Sequence, residues 1–172
     1  MKIVVVGTRG IPDIQGGVET HCEELYPRLA AMGHDVTVVR RSCYVTPQNK
    51  IKEYKGVHLK DIYAPRRKSI EAIVHTFLAI IYARWVGADV LHIHAIGPAL
   101  LTPLARLLGL RVVMTHHGPD YDRQKWNKTA KSVLRWGERM GANYANEVIV
   151  ISTVIDNILR EKYDRTDAHL IY

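Results

Sequence analysis

Short apolar runs alternate with longer helix-like stretches along the whole 172-residue chain, and few folds accept that rhythm. Residues 3–6, 36–39, 57–62, 89–94, 112–116, 148–151 and 169–172 read as strands. Between them, residues 17–32, 69–86, 97–109, 127–144 and 153–163 read as helices. The central runs are apolar at consecutive positions, as strands covered on both faces must be. The predicted fold is therefore α/β: a Rossmann-like parallel sheet with helices on both faces, in one domain. Ligands of such sheets bind beyond the carboxyl ends of the strands, near the switch point in strand order. In this chain those ends carry Gly7, His92 with His94, and Thr115 with His116 and His117.

The loop after the first strand narrows the chemistry. Gly7-Thr8-Arg9-Gly10 lacks the Gly-x-Gly-x-x-Gly spacing of a dinucleotide turn, and nine positions separate Gly7 from Gly16-Gly17. NAD is disfavoured, even though Arg40-Arg41 follow the second strand where an NADP phosphate would sit. Gly16 and Gly17 instead open a helix. Their bare backbone lets a phosphate approach N–H groups that the helix dipole reinforces by roughly 0.3–1 kcal/mol. In the helix they open, Leu25, Leu29 and Met32 are assigned to the buried face and Gly33 to its C-terminal cap. Glu19, in its first turn, suits the dipole or a cleft.

Gly16-Gly17-Val18-Glu19, Asp89-Val90-Leu91-His92-Ile93-His94 and Val113-Met114-Thr115-His116-His117-Gly118 together resemble family 4 glycosyltransferases of the GT-B fold. Two further stretches are similar to the rhamnosyltransferase-like proteins of bacterial surface-polysaccharide synthesis. They are Val6-Gly7-Thr8-Arg9-Gly10-Ile11-Pro12 and His117-Gly118-x-Asp120-x-x-Arg123-x-Lys125-Trp126. The resemblance spans essentially the whole chain. It implies that residues 1–172 are the acceptor-side domain of a retaining enzyme that moves a sugar, rhamnose being one candidate, from a nucleotide sugar to a saccharide or lipid-linked acceptor. The nucleotide-sugar domain would follow His169-Leu170-Ile171-Tyr172, and without it this half is expected to be inactive.

Residue roles carried by the resemblance are specific. Gly16 and Gly17 would contact the donor diphosphate, and His117, the catalytic candidate, would hydrogen-bond a hydroxyl of the transferred sugar. Glu19, His94, Asp120, Arg123 and Lys125 would line the cleft or touch the acceptor. His92 and His94 are read as facing opposite sides of their strand, with His94, nearer its end, given to the cleft. His116 and His117 likewise alternate. The resemblance calls for no catalytic base, cofactor or metal, since the leaving phosphate takes the acceptor proton.

Composition adds limits. Two cysteines, Cys22 and Cys43, make no disulfide framework and no metal-ligand spacing, which suits a reduced cytoplasmic setting. The apolar stretch 70–86 carries Glu71, His75 and Arg84 and falls short of a spanning helix. A formal charge of +7 fits an anionic partner. Arg66-Arg67-Lys68, and Lys128, Lys131 and Arg135 at helical spacing, point to peripheral contact with an anionic membrane. Specific nucleic-acid binding is not expected, because aromatic and basic residues do not interleave. Two other readings share these features: a sugar-nucleotide epimerase, which would lack the Gly-Gly-x-Glu helix start, and a non-catalytic ligand-binding module.

Overall fold

The computed structural model describes residues 1–68 and 70–172. Eight strands form one sheet: β1 (Lys2–Val6), β2 (Asp35–Arg41), β3 (Glu53–Tyr54), β4 (Val57–Ile62), β5 (Val90–His94), β6 (Val112–His116), β7 (Glu147–Val150) and β8 (His169–Leu170). Their spatial order is β3-β4-β2-β1-β5-β6-β7-β8, and every pairing is parallel except β3 with β4. Strand order reverses between β1 and β5, so the crevice that suits a ligand opens beyond Val6 and His94.

The helices are α1 (Gly17–Ala31), α2 (Glu71–Trp85), α3 (Thr102–Leu107), α4 (Lys128–Tyr144) and α5 (Thr153–Tyr163). Side-chain alternation along β1 divides the core in two. Ile3 and Val5 pack with Cys22 and Tyr26 of α1, whereas Val4 and Val6 share the larger cluster with residues of α2, α3, α4 and α5. Both faces are thus covered, but unequally: α1 lies on one and the other four helices on the opposite one.

Several expectations shift in detail. Helix α1 buries Glu19, Cys22 and Tyr26, with Leu25 and Leu29 at its edge; Met32 lies past the helix end and is 72% exposed. Gly33 caps it as expected, with its amide on the Ala30 carbonyl at 3.0 Å and that of His34 on Leu29 at 3.3 Å. Of the helix expected over 69–86, Ser69 lies outside the described residues, and α2 itself begins at Glu71. The helix expected over 97–109 is instead a 3-10 turn (Pro98–Leu101) followed by α3, because Pro103 has no amide to continue a helix through the junction. Strand β3 escaped the sequence reading. It is two residues long and turns through Lys55-Gly56, both at positive φ.

Candidate functional site

Gly7 ends β1 with its backbone against the end of β5. Its φ is +95°, and a Cβ there would overlap the His94 carbonyl oxygen. The loop that follows folds back onto α1. The buried Glu19 carboxylate accepts from the Thr8 hydroxyl at 3.2 Å and from the Arg9 amide at 2.8 Å. Glu19 therefore ties this loop to the first turn of α1. Gly16 has φ +150°, and a side chain there would collide with that carboxylate. Both Gly16 and Gly17 are exposed, and no side chain caps the helix. The first helical bond runs from the Thr20 amide to the Gly16 carbonyl at 2.9 Å. The amides of Gly17, Val18 and Glu19 are consequently without an acceptor among the described residues, which is the arrangement an anion requires.

One turn further along α1, His21 meets the strand ends. Leu91 and Ile93 of β5 point into the larger core cluster, so His92 and His94 both point to the α1 face. Their rings stack at 4.3 Å between centroids, which corrects the expectation of opposite faces: residues two apart on a strand share a side. A hydrogen-bonded chain runs through them. Thr115 Oγ1 lies 2.7 Å from His92 Nε2, and His92 Nδ1 lies 2.7 Å from the Tyr26 hydroxyl. That hydroxyl also bonds His94 Nε2, and His94 Nδ1 lies 2.9 Å from His117 Nε2. Burial, followed by mutual repulsion among the rings, pushes His92 down to about 3 and His94 well below the usual imidazole range. Burial likewise pushes His117 down to about 4. Each ring is then neutral at pH 7, with one donor and one acceptor nitrogen. A chain of such rings must run in one sense throughout, so the orientation at Thr115 sets whether His117 Nδ1 is a donor or an acceptor.

His116 points the other way, to α4. Its Nδ1 accepts from the Gly118 amide at 3.1 Å, which leaves Nε2 to donate to Glu138 at 2.7 Å. Tyr121 and Tyr163 donate to the same carboxylate at 3.3 and 2.7 Å. Burial would raise the Glu138 pKa, but these hydrogen bonds outweigh it and hold it below the usual range. The turn after β6, and with it the direction of His117, is fixed by this anchor.

The remaining candidates stand apart from the histidines. Asp120 pairs with Arg123 at 3.1 Å in a largely exposed ion pair, and Lys125 lies 4.8 Å from the centre of the Trp126 ring. The arginines that invited an NADP reading are used inside the fold. Arg40 is fully buried and binds Asp61 at 2.6 Å, while Arg41 binds Glu71 at 2.8 Å and the Gly7 carbonyl at 3.3 Å. Sequence reasoning missed His21, Tyr26 and Glu138. His21 had one signal, its place one turn after Gly17; Tyr26 and Glu138 look like ordinary helix residues.

Comparison with known proteins agrees with this architecture. The family model described as Glycosyltransferase Family 4 matches residues 15–172. Among solved structures, sucrose-phosphate synthase from Thermosynechococcus elongatus superposes with a TM-score of 0.74 at 20% identity, over 98% of this chain and 46% of that one. Phytolacca americana UGT2, complexed with UDP-2fluoro-glucose and pterostilbene, gives 0.60 at 11% identity over 99% of this chain and 53% of that one. UDP-N-acetylglucosamine 2-epimerase from Rickettsia bellii gives 0.57 at 11% identity over 94% and 41%. The chain thus spans about half the length of these neighbours, and at such identities they share its fold alone. No curated protein matches the sequence.

Proposed function

The chain belongs to Glycosyltransferase Family 4, and from that premise we propose that it is the acceptor-side half of a retaining transferase. The enzyme moves a sugar, with rhamnose the leading candidate, from a nucleotide sugar to a saccharide or lipid-linked acceptor. A nucleotide-sugar domain completes the cleft, and this half alone is inactive. No cofactor is assigned; the nucleotide sugar is a substrate.

One observation carries the reading: the unpartnered amides of Gly17, Val18 and Glu19, behind the exposed Gly16-Gly17 backbone, open beside His21, which touches His117 with ring centroids 5.1 Å apart. The amides hold the donor diphosphate, with the α1 dipole adding to the attraction. His117 Nδ1 hydrogen-bonds a hydroxyl of the transferred sugar, and His94 orients it from behind. Because His117 is neutral, it offers direction without competing as a charge for the diphosphate. Asp120, Arg123 and Lys125 line the acceptor side. Helices α2 and α4 start at the carboxyl ends of their preceding strands, which puts Arg66, Arg67, Lys68 and Lys128 on that side of the sheet; a basic set there suits an anionic lipid surface. The enzyme works in the cytoplasm, at the inner face of the membrane. The epimerase reading has less support, since the family match covers nearly the whole chain.

The test is a transfer assay on the full-length protein, screening nucleotide sugars against lipid-linked and simple glycoside acceptors. Transfer should occur with the wild type and fall at least about 100-fold in His117→Ala, the scale of a lost transition-state hydrogen-bonding group. Hydrolysis or epimerisation of the nucleotide sugar without transfer would overturn the proposal.

A further inference from the structure

His21, His94 and His117 come from α1, β5 and the turn after β6, and one ligand nitrogen from each lies within 4.8 Å of the others. We propose that these three histidines form a site for a borderline divalent transition-metal ion such as Zn2+, with its fourth position open to the cleft.

The geometry is close to what such an ion needs. Three nitrogens about 2.0–2.1 Å from a tetrahedral zinc stand roughly 3.3–3.4 Å from one another. His94 Nδ1 and His117 Nε2 already face each other at 2.9 Å, so opening by a few tenths of an ångström admits a cation where a proton now bridges them. His21 stands edge-on to both rings, with centroids 5.7 Å from His94 and 5.1 Å from His117. It is half-buried and makes no hydrogen bond among the described residues, so its nitrogens are free and its ring can turn to the ion.

The surroundings match as well. A metal-bound imidazole needs its other nitrogen held, and the Tyr26 hydroxyl holds His94 Nε2. Behind Tyr26 stand His92 at 2.7 Å and, beyond it, Thr115. The nearby carboxylate, Glu19, is turned away onto Thr8 and Arg9. An all-imidazole set selects zinc, nickel or copper over magnesium or calcium, which prefer oxygen. If the transferase reading holds, the ion takes the nitrogen through which His94 orients His117. Metal then inhibits transfer, and a chelator restores it.

Calorimetric titration of the chain with Zn2+ tests the site without any activity measurement, so its outcome and that of the transfer assay are independent. We expect one equivalent to bind, accompanied by shifts of the His94 and His117 ring resonances. His21→Asn, on a half-exposed helix position, should weaken binding about tenfold or more. His58→Asn serves as the control, since His58 lies 3.7 Å from Asp35 and 3.9 Å from Glu53 and could hold zinc at the surface; it should leave the affinity unchanged. Absence of saturable binding, or binding that ignores His21→Asn, would overturn the site.

Discussion

At pH 7 His75, His92, His94 and His117 are uncharged, and that state carries a cost when protons become abundant. Burial, with the neighbouring Arg41 charge, pushes His75 down to about 4, and burial pushes His92 to about 3. In the unfolded chain both rings would titrate near their ordinary value of about 6.5. The unfolded state therefore binds more protons between roughly pH 6.5 and 4, and stability must fall as pH drops through that window. Above it neither state is protonated and the effect vanishes. The loss should approach about 1.4 kcal/mol per pH unit for each ring. Urea unfolding at pH 7.5 and pH 5 should show a lower midpoint at pH 5. His75→Gln, which keeps a donor for the Arg40 carbonyl now 3.1 Å from the ring, should flatten the difference. Equal midpoints in the wild type would mean that these rings titrate normally.

Among the elements, β6 and α4 show how a catalytic candidate is aimed by residues that never touch a substrate. His117 leaves the sheet in a direction set by His116, which is locked to Glu138 in the middle of α4. Glu138→Gln keeps the shape but removes acceptor capacity from a buried group serving His116, Tyr121 and Tyr163. The expected loss is about 1–3 kcal/mol of unfolding free energy. Hydrogen exchange at the Gly118 amide should also quicken, since that amide bonds His116 Nδ1. Unchanged exchange would show the turn to be held otherwise. Nothing in the spacing of residues 116 and 138 announced this pair. The elements themselves were legible: β4, β6 and α5 match their expected ranges, and apart from the split helix 97–109 the other boundaries differ by at most two residues. Strand β3 was not, because a two-residue strand leaves no period to read.

Across the whole molecule the excess of positive charge is unevenly used. Arg40 and Arg41 are spent inside the fold, whereas Arg66, Arg67 and Lys68 are exposed. Just beyond them α2 shows Phe77 and Ile81, each 46% exposed, and Trp85 at 82%, four residues apart and so on one side of the helix. A basic cluster beside an apolar stripe suits an anionic bilayer surface, at about 1 kcal/mol per basic residue. Replacing Arg66, Arg67 and Lys68 with Ser should lower co-sedimentation with anionic vesicles by at least about tenfold and leave zwitterionic vesicles unaffected. Equal co-sedimentation would remove the membrane from the proposal. Among the described residues no helix is long and apolar enough to cross a bilayer.

The alternation of strand and helix, the covering of both sheet faces and the bare glycine start of α1 were all written in the sequence, because each depends on periodicity or on neighbours a few residues apart. Strand ends at Gly7, His94 and His116 followed from the same local pattern. The tertiary structure alone decided which side chains meet there. His94 pairs in register with Thr115 because β5 lies beside β6, and His21 reaches His94 and His117 because α1 packs on the face to which His92 and His94 point. Strand order and helix placement arise from contacts among residues tens of positions apart. Local periodicity is blind to such contacts, so a cluster assembled by them becomes visible only when the chain is folded.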